Sequence, residues 1–208
     1  MPLKEKVPNQ IFYLACIAVE EVMGENGLNS ILNYSNLRKY IRNYPPNNLN
    51  LEIDSIDFTN LATGLVKIMG EKGCRSLMLR GGIKGFEIMH RDFPSLFNIE
   101  GVKIEERTPD KLFDELIRIK DIMIAAAGGL FGEDIYKREE RTDQIAYEIS
   151  PCFWCRGVKA QTPICHGEIG FNIATVRLVL GRDTEVEETH CIAKGDPMCR
   201  FVIHRPKA

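Results

Sequence analysis

Apolar residues along the first part of the chain recur at helical spacing. Ile11, Leu14, Ala15, Ala18, Val19 and Val22 fall on one face of a stretch from Gln10 to Met23, since residues three and four apart are neighbours on a helix. Gly24 and Gly27 punctuate its end. A second helical stretch, about Leu28 to Tyr44, stops at Pro45-Pro46, and Asn47 to Asp54 reads as a loop. Asp57 is placed to cap a third helix, along which Phe58, Leu61, Ala62, Leu65, Val66 and Met69 repeat before Gly70 and Gly73. In Leu77 to Met89, the glycines of Arg80-Gly81-Gly82 and Gly85 argue against a regular helix interior. Thr108-Pro109 marks a clear start, with Thr108 as N-cap and proline at the first helical position. Leu112, Leu116, Ile119 and Met123 then share one face as far as Gly128-Gly129.

After Gly132 the period changes. Ile145, Tyr147 and Ile149 alternate with Ala146 and Glu148, as in a half-buried strand. Asp134 to Glu140 is its candidate hairpin partner, turning near Arg141-Thr142-Asp143. Cys165 to Gly181 returns to helical spacing through Ile169, Ile173, Val176 and Leu180. Two strands, about Thr184 to Ala193 and Met198 to His204, flank a turn at Lys194-Gly195-Asp196-Pro197. No internal repeat or long linker stands out. The order predicts an α+β fold: a single domain over residues 1–208, with an antiparallel sheet packed against helices. Its helical part covers about 1–130 and its second part about 131–205.

Composition narrows the function classes. A chain of 208 residues with 44% apolar and 27% charged residues can build one good core. A formal charge of −2 offers no global basic field for nucleic-acid phosphates, so no direct nucleic-acid partner is expected. No apolar run reaches the roughly 20 residues of a membrane span; the longest candidate, Ile11 to Met23, is broken by Glu20 and Glu21. Met1-Pro2-Leu3-Lys4-Glu5-Lys6 lacks the apolar core of a signal peptide, so a cytoplasmic location is expected.

Seven cysteines change the picture further. The number is odd, which argues for reduced thiols rather than a disulfide framework. Cys16 and Cys74 read as small buried hydrophobes. The other five, Cys152, Cys155, Cys165, Cys191 and Cys199, crowd one end of the chain. Thiolates attract zinc, which takes four ligands in a tetrahedron. The candidate ligands are those five, Glu188 and His190, with His166 a neighbour of Cys165. Cys191 and Cys199 flank a turn, and Cys165 opens a helix, whose dipole favours a thiolate. Cys152-Phe153-Trp154-Cys155 is a single CxxC, open to reading as half a metal site, a redox pair or a structural turn.

From Cys165 onward the chain reads CHGEIGF, then LGRD, then VEETHCIAKGDPMCRFVI. This resembles the C-terminal signature of the 4-vinyl reductase domain family. More loosely, Met23 to Asn29, Tyr44-Pro45-Pro46 and Arg80-Gly81-Gly82 resemble its longer members. The family is similar in fold to vesicle-tethering subunits and to phenol-responsive sensor domains. That resemblance implies a structural zinc whose ligand spacing falls on Cys165, Glu188, Cys191 and Cys199, with Cys152 and Cys155 as an alternative metal or redox pair, dispensable for that zinc. A homodimer is expected as well, and it fits a sensor and an assembly protein equally.

Three functions follow. One is a zinc-stabilised binding or sensor domain for a small hydrophobic or aromatic ligand, with Phe131, Tyr147 and Trp154 as candidate pocket residues. Another is a tetrapyrrole vinyl reductase or its accessory protein, although the Gly-x-Gly-x-x-Gly fingerprint of nicotinamide enzymes is absent from the sequence. The third is an assembly protein of the tethering type. The binding module is the favoured one, because no nucleophile–base pair stands at recognisable spacing and a zinc with four protein ligands cannot activate water.

Overall fold

Two long helices absorb most of the helical pattern, and each bends at a glycine. In the computed structural model, which describes residues 5–97, 108–139, 141 and 143–206, α1 spans Asn9–Tyr34 and α2 spans Ser55–Asp92. Gly24 (φ 72°, ψ 170°) interrupts α1, and Gly70 (φ 68°, ψ 169°) interrupts α2 in the same way. Both positions need a residue that tolerates positive φ. The breaks share a short pattern, Met-Gly-Glu-x-Gly, at Met23–Gly27 and Met69–Gly73. Each kink's glutamate fastens a loop. Glu25 accepts from Arg42 Nε at 2.8 Å, and Glu71 accepts the backbone N–H of Gln161 at 2.7 Å and of Thr162 at 3.0 Å.

Other boundaries also move. The stretch expected to stay helical to Tyr44 stops at Tyr34, because Asn36 (φ 59°) and Arg42 (φ 54°) adopt left-handed backbone. The segment read as a loop contains β2 (Leu51–Asp54), paired antiparallel with β1 (Lys6–Pro8). Strands of three or four residues are too short to show a period. Asp57 lies inside the first turn of α2 rather than at its cap, where it accepts the Tyr40 hydroxyl at 2.7 Å.

The stretch Leu77 to Met89 is helical, against expectation, and the reason is α4 (His166–Leu180). A Cβ on Gly82 would lie 1.9 Å from the carbonyl oxygen of Gly167, and one on Gly170 would lie 2.1 Å from that of Leu79. The glycines permit a backbone-to-backbone crossing that no side chain allows.

Helix α3 (Pro109–Phe131) starts where Thr108 and Pro109 place it, with the Thr108 side chain accepting from the Lys111 N–H at 3.3 Å. It runs past Gly128-Gly129 to Gly132. Thr108→Ala is expected to lower stability by about 1 kcal/mol, read as a lower urea midpoint with unchanged slope.

The sheet contains β3 (Tyr136–Glu139), β4 (Gln144–Ile149), β5 (Val186–His190) and β6 (Cys199–His204), in the order β3-β4-β6-β5. All its pairings are antiparallel. β5 is shorter than expected because Ile192–Lys194 winds into a single 3-10 turn ending at Gly195 (φ 102°). Glu140 and Thr142 of the expected hairpin, and Met1 to Lys4, lie outside the described residues. Tyr147 pairs with Phe201 across β4 and β6, their rings stacked at 5.4 Å. Among the described residues, no helix is long and apolar enough to cross a membrane.

Candidate functional site

The loop after β4 carries Cys152 and Cys155, Cys165 stands at the N-cap of α4, and Cys199 opens β6. β5 contributes Glu188, and Cys191 follows it directly. All five sulfurs belong to fully buried residues. Cys152 lies 3.7 Å from Cys165, Cys155 lies 3.3 Å from Cys199, and Cys165 lies 3.8 Å from Cys199. Cys191 stands 3.9 Å from Cys155. None of these gaps is a disulfide, and every cysteine is free. They match a metal site instead: a tetrahedron with Zn–S bonds of ~2.3 Å has edges of about 3.8 Å.

Two groupings of four ligand atoms each lie within 4.8 Å of one another. One is Cys165, Glu188, Cys191 and Cys199; the other is Cys152, Cys155, Cys165 and Cys199. The structure therefore brings together the quartet implied by the resemblance and its competing pair. Neither histidine beside a cysteine joins a grouping. His190 is exposed, its Nδ1 3.0 Å from the Thr189 hydroxyl. His166 is buried, and burial pushes its pKa down to about 4. Cys16 and Cys74 sit in the core away from the cluster, their thiols pushed up by burial to about 12 and about 11.

The surrounding groups suit anionic sulfur. Cys199 Sγ accepts the Ile192 N–H at 3.3 Å, and Asp196 holds the Cys191 N–H at 2.8 Å. Such outer contacts orient metal ligands. Glu188 Oε2 accepts the Cys165 N–H at 2.9 Å. Its other oxygen, Oε1, is buried with no partner among the described residues. Burial, with Cys191 adjacent, pushes the Glu188 carboxyl up to about 9. A bound cation removes that cost, because burying an unpaired charge is expensive.

Beside the cluster lies a cavity of about 220 Å³ between α1, α2, α3, the start of α4 and the 152–155 loop. Its wall is apolar, with Leu14, Ala18, Leu77, Met123 and Phe131 among the lining residues. Phe153 and Trp154 line it too. Phe153 stacks on Phe131 with centroids 4.3 Å apart, and Trp154 meets Phe58 edge-on at 4.9 Å. Of the candidate pocket residues, Phe131 and Trp154 line the cavity, while Tyr147 stands one layer behind it.

Polar groups also stand on this wall. Lys120 Nζ donates to Asn172 Oδ1 at 2.8 Å, lies 4.6 Å over the Tyr147 ring and faces Glu168 at 3.9 Å. Tyr147 donates to Glu168 at 2.5 Å and accepts from Asn172 Nδ2 at 2.7 Å. Burial lowers the Lys120 pKa, which Glu168 opposes. One signal does exist: Lys120 falls on the apolar stripe of α3, one turn after Leu116 and one residue after Ile119. Two further lining residues carry buried atoms without a partner among the described residues, Trp154 Nε1 and Gln10 Oε1.

The family model of the 4-vinyl reductase domain matches residues 145–205. The resemblance to that family is thus shown over a segment that contains all six clustered ligands. No curated protein matches the sequence significantly. Among solved structures, an unliganded Fe(II) H-NOX protein mutant from K. algicida aligns over 96% of this chain and 97% of that one, with TM-score 0.62 and 14% identity. A second H-NOX structure, solved to probe the function of heme distortion in that family, covers 96% and 95% of the two chains at TM-score 0.60 and 12% identity. These likenesses show the fold. The phenol-responsive sensory domain of the transcription activator PoxR, with phenol, aligns more loosely, at TM-score 0.46 and 16% identity over 76% and 77%.

Proposed function

We propose that the chain is a metal-stabilised sensor domain that binds a small aromatic or otherwise apolar molecule carrying one polar group. The observation that carries this reading is the apolar cavity, whose lining includes Trp154, a residue with a buried indole N–H that lacks a partner among the described residues. Apolar walls with a few placed polar groups are the usual make-up of a small-molecule site. An apolar cavity of about 150 Å³ is known to take benzene. At about 220 Å³ this one has room for a molecule of one or two rings.

Heme, named for an H-NOX relative, does not fit this wall. The four histidines are His90, His166, His190 and His204, and none lines the cavity; no cysteine does either. Those are the usual proximal iron ligands, and the lining methionines Met78, Met89 and Met123 would serve only beside a histidine, as in cytochromes c. Tyr136 lines it too, and burial, with Glu168 next in effect, pushes its phenol well above the ordinary range. The one lining lysine is engaged by Asn172. A cavity of about 220 Å³ suits one or two rings better than a tetrapyrrole macrocycle, which favours the binding reading over the vinyl-reductase alternative.

The metal reading assigns zinc to Cys165, Glu188, Cys191 and Cys199, with a folding rather than a catalytic role. Supporting it are the sulfur spacings and the unpartnered Glu188 oxygen. Seven unpaired cysteines suit a reducing, cytoplasmic setting. A homodimer is part of the same proposal and is checked by light scattering.

The test is a thermal-shift panel of phenols, aromatic hydrocarbons and divinyl tetrapyrroles. One- and two-ring compounds are expected to raise the melting temperature by mass action. Trp154→Phe keeps an aromatic side chain and removes the donor. It is expected to weaken ligands bearing an oxygen acceptor about 3- to 10-fold, the worth of one neutral hydrogen bond. Hydrocarbons should bind it as before. A panel without any shift, or turnover of a divinyl tetrapyrrole with a nicotinamide donor, would overturn the reading.

A further inference from the structure

We propose that a single zinc ion in the cluster exchanges its fourth ligand between Glu188 and Cys155, while Cys165, Cys191 and Cys199 stay bound. This rests on the reading that the cluster binds zinc, and extends it to the loop after β4. Glu188 is one residue that completes a set of four around those three sulfurs. Cys155 is another. Its sulfur lies 3.3 Å from that of Cys199 and 3.9 Å from that of Cys191, and it shares with Cys165 a grouping whose atoms all lie within 4.8 Å of one another. The sulfurs of Cys155, Cys165, Cys191 and Cys199 are therefore mutually within 4.8 Å too. The edge common to both sets, Cys165 to Cys199, measures 3.8 Å, the length that tetrahedral Zn–S bonds of ~2.3 Å impose. Cys152 shares no grouping with Cys191 and takes no part in the exchange.

Structural zinc takes four ligands, and either a thiolate or a carboxylate serves it. The three constant sulfurs are held where they are. Cys165 opens α4 and Cys199 opens β6, Cys199 Sγ accepts the Ile192 N–H, and Asp196 holds the Cys191 N–H. The two competitors are each placed to wait beside the ion. Glu188 Oε2 stays on the Cys165 N–H, while Oε1 has no partner among the described residues. Cys155 is fully buried against Cys199 and Cys191. When Cys155 binds, a Zn–S bond replaces the Zn–O bond, and the thiol proton passes to the carboxylate that Glu188 releases. The total charge of the cluster is unchanged, so neither arrangement buries an extra ion.

The exchange joins the metal to the ligand cavity. Cys155 directly follows Phe153 and Trp154, which form part of the cavity wall. Those rings pack on Phe131 and Phe58, so the metal's fourth ligand is either a residue of β5 or the residue that ends this wall segment.

The experiment measures zinc content by elemental analysis, and zinc affinity by competition with a chromophoric chelator, on the full chain purified under reducing conditions. The unsubstituted chain is expected to hold one zinc. Glu188→Gln keeps an acceptor for the Cys165 N–H. It and Cys155→Ser, each made alone, are expected to retain that zinc within about 10-fold of the original affinity, the scale of an outer contact. The Glu188→Gln/Cys155→Ser double variant should bind it more than about 100-fold more weakly, beyond what an outer contact is worth. Co2+ in place of zinc provides a second reading that does not need the double variant. Thiolate-to-cobalt absorbance should be strongest in Glu188→Gln, weakest in Cys155→Ser and intermediate in the unsubstituted chain. Loss of zinc in either single variant, its retention in the double variant, or an unsubstituted chain whose cobalt spectrum matches one single variant overturns the exchange while leaving a single metal site standing. No zinc in the unsubstituted chain overturns the metal reading too, and ligand binding in the thermal-shift panel remains a separate outcome.

Discussion

A Cys199→Ser chain is expected to lose its bound zinc and most of its stability. Cys199 belongs to both groupings of ligands, so its loss leaves each of them with three of its four ligands. Structural zinc contributes about 10–16 kcal/mol of apparent binding free energy in small zinc domains, and that energy is folding energy. This chain has extensive cores besides the cluster, so the loss should be smaller. A cost of about 4 kcal/mol or more is expected, which for a chain of this size lowers the melting temperature by roughly 8–16 °C. Cys16→Ala is the control. Its thiol sits in the core between α1 and α2, and its replacement should cost about 1 kcal/mol with metal content unchanged. A Cys199→Ser protein that keeps both its zinc and its melting temperature would remove the metal from the account of this fold.

The crossing of α2 and α4 gives the other large effect. Gly82→Ala is expected to destabilise by about 3 kcal/mol or more, the upper range of overpacking. The added methyl would stand 1.9 Å from the Gly167 carbonyl oxygen and 2.9 Å from the Phe171 nitrogen. Both are backbone atoms, so no side-chain rotation relieves the clash and the helices must separate. Gly167 and Glu168 line the cavity, so ligand affinity should fall along with stability. Gly128→Ala isolates the effect of position. An added Cβ there meets nothing within 4 Å on α3, and the change should stabilise by about 0.5–1 kcal/mol through the helix preference of alanine. Equal, small effects at the two sites in chemical denaturation would mean that the crossing is looser than described.

The cavity illustrates how a site is divided between local and distant signals. Phe131 and Trp154 can be singled out because aromatic residues near a predicted sheet are few. Lys120 is equally visible as a charge on an apolar stripe, yet nothing local says whether such a lysine ends in solvent or in a cavity. Asn172 and Tyr147, the residues that satisfy it, lie on α4 and β4. Tyr147 falls outside the lining for the same reason. Strand alternation puts its ring on the buried face, but only the packing of α4 above it sets Glu168 between it and the cavity.

The sequence by itself determined the features that depend on neighbours a few residues away. The Thr108-Pro109 start of α3, the alternation of β4, the helix after Cys165 and the glycine breaks at 24 and 70 are all set by backbone preference and short-range periodicity. Tertiary structure alone decided the continuity of α2 through its glycines. A glycine weakens a helix locally, and here its missing side chain is what lets α4 touch the backbone. The same holds for the metal ligands. Their spacing in sequence could name a quartet by resemblance, but it could not show that Cys152 and Cys155 share two sulfurs with it. That meeting joins the loop after β4, the N-cap of α4 and the first residue of β6. It exists only because burial of the sheet and helices around them brings together sulfurs up to 47 positions apart, from Cys152 to Cys199.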